Sequence, residues 1–129
     1  LTTDRRERDR GALTLSFALV FPMMLLLVML VAQVALLWYS QSVALAAARE
    51  GADAGRVLGG TDQAATDRAQ AFLDGFRGLL GSPTVDRPVR TQATITVTVH
   101  IHPLFLLPGF DGLTISQRAQ APIERFVGP

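Results

Sequence analysis

The sequence predicts an α+β protein: one long N-terminal helix that crosses a membrane, then a small head of one amphipathic helix and an antiparallel two-stranded β pair. Three observations predict it. Residues 11–48 carry no charge. The stretch after Thr61 repeats apolar side chains at helical spacing, and residues 89–101 alternate apolar with polar.

Composition sets the limits. A chain of 129 residues leaves room for one small domain. Its 12 Lys+Arg stand against 11 Asp+Glu, without the basic excess of a nucleic-acid binder. It has no Cys, which removes disulfide frameworks, thiol nucleophiles and thiolate metal sites.

Residues 1–10, LTTDRRERDR, hold four Arg and three acids; all other charges lie from Arg49 onward. Between them, Ala12 to Leu37 is almost wholly apolar. About 20 such residues span a bilayer as a helix, so this stretch crosses with some tilt. A buried core helix is excluded, because so short a chain cannot cover an apolar rod on all sides. A secretory signal peptide has an apolar region of about 7–15 residues before a small-residue cleavage site. Ala44-Leu45-Ala46 has the residue types, but it follows a longer apolar run and lies beyond Trp38, Tyr39 and Gln41. Arg5, Arg6, Arg8 and Arg10 on the near side place the N-terminus in the cytoplasm, and Trp38-Tyr39 suit the far interface. The expected organisation is a charged leader (1–11), a transmembrane helix (12–39), an extramembrane continuation (40–58) and an outer α+β domain (61–129).

Ser40–Leu58 is Ala-rich and free of Pro, so one helix is expected from Ala12 to about Leu58, about 70 Å long. Gly59-Gly60 ends it. Pro22 predicts a kink or local melting. Ala47, Gly51, Gly55 and Gly59 recur every four residues, a row of small side chains against which a neighbouring helix can pack closely. Chance in an Ala- and Gly-rich sequence produces such a row as well.

In the head, Thr61 is the expected N-cap of a second helix running to Gly81, with Asp62 in its first turn. Its apolar stripe is Ala65, Ala69, Phe72, Phe76 and Leu79, widened by Leu73 and Leu80. Gly78, Gly81 and Pro83 stop it. A strand follows over 89–101, with Ala93, Ile95, Val97, Val99 and Ile101 on one face. A weaker strand covers about Leu113–Ala121, with Leu113, Ile115 and Ala119 inward. Two strands alone are marginal, so their apolar face is expected to cover the second helix. The connection His102–Gly112 carries Leu104, Phe105, Leu106, Leu107 and Phe110. So apolar a loop is tucked in, dips into lipid or meets a partner. The first and last of these are preferred.

No enzyme constellation stands out. His100 and His102 form an HxH pair whose nearest third ligand in sequence is Asp111, and a surface His pair is the simpler reading. Gly59-Gly60-Thr61 lacks the Lys of a phosphate loop. The Ser residues have no identifiable base, and the acids are scattered. No catalytic residue, metal, cofactor, nucleic acid or small-molecule substrate is expected.

Arg10-Gly11 followed by ALTLSFALVFPMMLLL, and AAAREGADAGRV at 46–57, resemble the TadE-like family, pseudopilins or minor pilins of the tight-adherence (Flp-type) type IV pilus system. The resemblance covers about residues 5–58; the strand-rich tail is similar in layout only. It implies a structural role in a pilus or related secretion apparatus in a bacterial cytoplasmic membrane. The implied partners are other pilins, the assembly platform, the lipid bilayer and a prepilin peptidase that cuts between Gly11 and Ala12. In the family an acid usually stands fifth after the cut and pairs with a neighbour's N-terminal amine; here that position is Ser16, which supplies no charge. The departure points to a minor, capping or accessory subunit. An unprocessed, signal-anchored outer domain with a binding or sensing role is the alternative.

Overall fold

The helix that begins the chain is longer than its apolar block. The computed structural model describes residues 3–106, 108–109 and 112–125, with side chains described at residue 14 and from residue 16 onward. Helix α1 runs from Thr3 to Arg56, about 80 Å at 1.5 Å per residue. It starts inside the charged leader rather than at Ala12, since Arg and Glu are good helix formers. It passes through Pro22 without ending there. Gly59, at φ +82°, turns the chain back after it.

The second helix is shorter than expected. α2 covers Asp62–Asp74, and the Thr61 side chain accepts a hydrogen bond from the Ala64 N–H at 3.0 Å. The chain then breaks at Gly75-Phe76 before a single turn, α3, Arg77–Leu80. Leu80 is fully buried, seven residues after Leu73, while Leu79 is about half exposed and leaves the expected stripe. Ala65, Ala69 and Leu73 form the buried line of α2. Phe72 and Phe76 pack beside each other, and Phe76 meets the Tyr39 ring edge-on at 6.4 Å. Tyr39 thus packs on the head as well as standing where an interface residue would.

The sheet has four strands rather than two: β1 Thr84–Val85, β2 Val89–Arg90, β3 Thr94–Ile101 and β4 Ile115–Pro122. β3 is central and pairs antiparallel with β4 along its whole length. β1 and β2 share its other edge. Val85 faces Val99 and Val89 faces Thr96, so this edge carries one extra residue, a bulge. Pro88, which has no N–H to donate, lies within it.

The single strand expected over 89–101 is therefore a hairpin. Thr91 N–H donates to the Thr94 carbonyl at 2.8 Å, and the Thr91 hydroxyl accepts from the Thr94 N–H at 3.0 Å. Ala93 lies in the exposed turn instead of on the apolar face. The turn lacks the Asn-Gly or Asp-Gly that would have marked it.

Ile95, Val97, Val99 and Ile101 are fully buried, as the alternation predicts. On β4 the inward residues are Ile115, Gln117, Ala119 and Ala121, while Leu113 precedes the strand and is about half exposed. What covers this face differs from expectation. The sheet lies chiefly on the C-terminal half of α1, with α2 beside it. α1 and α2 form an antiparallel pair: Arg68 bonds Glu50 at 3.0 Å near the turn, and Phe76 reaches Tyr39 farther down. The core is thus built on the same helix that carries the apolar span.

Candidate functional site

The surface of α1 divides at Gln33. From Phe17 to Val31 its large apolar side chains are exposed around the helix, except Met29, which is half-buried. From Gln33 onward one face is covered, at Gln33, Ser40, Ala44, Ala47, Gly51 and Gly55, spaced three, four or seven apart. A single helix long and apolar enough to cross a membrane is present among the described residues, Ser16–Arg56, and the apolar window within it is almost wholly unburied. The fully exposed part is free to meet lipid, and the covered part holds the head.

Gln33 marks the junction. It is the single polar residue between Ser16 and Trp38. Its side-chain carbonyl accepts the Leu106 N–H at 2.7 Å, and its amide donates to the Leu104 carbonyl at a longer 3.4 Å. Both polar ends of the buried amide are therefore engaged by the β3–β4 loop. A lone amide in an apolar stretch needs a partner, because leaving it unpaired in a low-dielectric setting is costly. That is the signal in the sequence that points to Gln33; the length of the apolar run around it masks a lone amide.

The loop itself is partly described. Leu104 and Leu106 are about half exposed, and Phe105 is intermediate. Leu107, Phe110 and Asp111 lie outside the described residues. The tucked-in reading accounts for Pro103, which is buried, but not for the leucines.

The small-residue row is used within the chain. A Cβ on Gly51 would stand 2.8 Å from the Ala65 carbonyl oxygen and 3.0 Å from the Ala69 Cβ. One on Gly55 would overlap the Ile95 side chain and press on Ala65. Ala47 is fully buried in the same face. The backbone that approaches closely is that of α2, not a helix of another subunit, because α2 folds back along this face.

Arg90 ties three segments together. Its guanidinium donates to the carbonyls of Gly55 (3.0 Å) and Gly60 (3.2 Å) and pairs with Asp62 at 2.8 Å. One fork thus satisfies a carbonyl at the end of α1, holds the turn and meets the first turn of α2. Arg56 adds a pair with Glu124 at 3.5 Å, and the Glu124 N–H donates to the Arg56 carbonyl at 2.9 Å.

On the opposite face of the sheet, His100 lies between Ser116 and Asp86. Its Nδ1 is 2.6 Å from Ser116 Oγ and its Nε2 2.7 Å from Asp86 Oδ2. The expectation that no Ser has a neighbouring base is corrected here, because strand pairing sets Ser116 opposite His100. The arrangement sits on the solvent side of a sheet, where backbone N–H groups lie in the sheet plane and are taken by the ladder. They do not converge as an oxyanion hole requires. The contacts cross-link β1–β2, β3 and β4. His102 turns elsewhere, toward the Ser82 carbonyl at 3.3 Å. Among the described residues no group of three His, Asp or Glu is placed to hold a metal.

Gly11 and Ala12 lie inside α1, about two turns from its start, and Ser16 is exposed on the same helix. A family model described as TadE-like protein matches residues 11–53, about a third of the chain. No curated protein and no solved structure matches. The match begins at Gly11 and ends at Asp53, near the end of the helix face that carries the head.

Proposed function

From that TadE-like match over residues 11–53, we propose that the protein is a structural subunit, a minor pilin or pseudopilin, of a tight-adherence pilus or related secretion apparatus. α1 anchors it in the cytoplasmic membrane with its N-terminus inside, and the head lies outside. The observation that carries the reading is where the match falls: on the apolar span and its docked continuation, the part that makes rod and head one body. The TadE-like family is a structural pilus component, and that is the role this reading gives the chain.

The residues divide the work. Gly11 and Ala12 are the processing boundary for a prepilin peptidase, with Ser16 at the position where an acid usually guides assembly. Phe17–Val31 meet lipid or neighbouring helices. Ala47, Gly51 and Gly55 bind α2 and so hold the head rigid. One observation favours the alternative of an unprocessed anchored domain: Gly11 and Ala12 lie in continuous helix, which a peptidase would have to open.

Photo-crosslinking in the native host tests the proposal. A photoreactive residue at Met24, on the exposed span, is expected to capture pilin-like or assembly-platform proteins. Deleting the gene is expected to reduce surface pili, with recovery on complementation. Unchanged piliation, with capture of unrelated membrane proteins only, would overturn it.

A further inference from the structure

We infer that Leu104 and Leu106, with Leu113, at the two ends of the β3–β4 loop enter the outer leaflet of the bilayer that α1 spans, giving the head its own contact with lipid. The inference rests on reading α1 as a membrane span. Gln33 fixes the depth: its hydrogen bonds to Leu104 and Leu106 hold the loop at the height of residue 33 on the helix. Counting from Ala12, α1 travels about 30 Å by that point, the thickness of the hydrocarbon core. Gln33 therefore stands at the outer edge of the hydrocarbon. Trp38, 73% exposed, lies about 7 Å farther out, among the headgroups where Trp is favoured. A span that runs on to Leu37 would set the loop deeper still.

The loop's own chemistry agrees. Leu104, Leu106 and Leu113 are each about half exposed. From Ile101 to Leu113, Asp111 is the single Asp, Glu, Lys or Arg. Val31 and Val34, flanking Gln33 on the helix, are exposed as well, so the loop's apolar surface continues the belt that lipid already covers. Irregular backbone tolerates such a depth only where its polar groups are satisfied. Gln33 satisfies two of them and hides its own amide in doing so. With helix and loop both held by the bilayer, the head is fixed in tilt as well as attached.

The absence of Cys makes the test direct. Leu104→Cys and Leu113→Cys are labelled with an environment-sensitive fluorophore in the full chain. Val28→Cys serves as the span reference and Gln120→Cys, on the outer face of the sheet, as the aqueous one. The proteins are reconstituted in phosphatidylcholine–phosphatidylglycerol vesicles and challenged with shallow or deep nitroxide lipids and with iodide. The loop probes are expected to be quenched by the shallow nitroxide about twofold or more above the Gln120 reference, at an interfacial depth of about 5–10 Å. Loop probes quenched by iodide while Val28 remains quenched by lipid would overturn the inference and leave the span intact. Loop probes shielded from both quenchers would overturn it in favour of a second copy as cover. A Val28 probe quenched by iodide would overturn the span itself, and the inference with it.

Discussion

Single residues carry more of this structure than their chemistry advertises. Gly51 and Gly55 both stand where a Cβ has no room, yet the obstacles differ: a backbone carbonyl at Gly51 and the end of a flexible Ile95 side chain at Gly55. Alanine gains about 1 kcal/mol of helix propensity over glycine at either site. Gly51→Ala is nevertheless expected to destabilise the head by about 1–3 kcal/mol, because α2 must move. Gly55→Ala is expected to cost clearly less, since Ile95 can change rotamer. Thermal melts of the two variants in detergent check the order. Gln33→Leu should leave the helix intact but strip the Leu106 N–H of its acceptor, a loss of about 1–3 kcal/mol for a buried group. Faster hydrogen exchange confined to the β3–β4 loop is the expected result. His100→Ala removes two contacts on the sheet's outer face and should cost about 1 kcal/mol. If His100 is a brace, any residual hydrolysis of an activated ester will be the same in parent and variant.

At the scale of elements, legibility in the sequence followed burial. β3 was readable because Ile95, Val97, Val99 and Ile101 all face one fully buried side, so period two is enforced at every step. β1, β2 and the bulge between them were not, since two-residue strands on an edge have no periodicity to read. The break after α2 was hidden because Gly75 lies among residues that continue the helical stripe. The small-residue row announced close packing, but not against which element; only the fold-back at Gly59-Gly60 decides that α2 fills it. Arg90 was invisible for the same reason, as its partners lie about 30 residues away in the α1–α2 turn. Arg90→Ala is expected to free the end of α1 and lower the head's melting temperature by about 5–10 °C, from about 1–2 kcal/mol in a partly exposed network. Arg90→Lys should recover only part of that loss, because an ammonium cannot reach two carbonyls and a carboxylate as the planar fork does.

At the scale of the whole molecule, one helix serves as both membrane anchor and core element. This explains why the charge map revealed the architecture early: an uncharged block too long for the core of so small a chain must find lipid. It also explains what the map concealed. The head reaches below Trp38-Tyr39, down to Gln33, and packs on Tyr39. The proposed processing boundary at Gly11-Ala12 rests on resemblance rather than on any physical pattern, and it is the point on which the pilin reading depends most. The measurement that tests it most directly is the intact mass of the protein extracted from its own host's membranes. The account predicts a product that has lost everything through Gly11 and begins at Ala12. Retention of the leader, with the peptidase active on another substrate, would contradict processing and favour a permanently anchored domain. Cleavage near Ala46 would contradict the anchor itself.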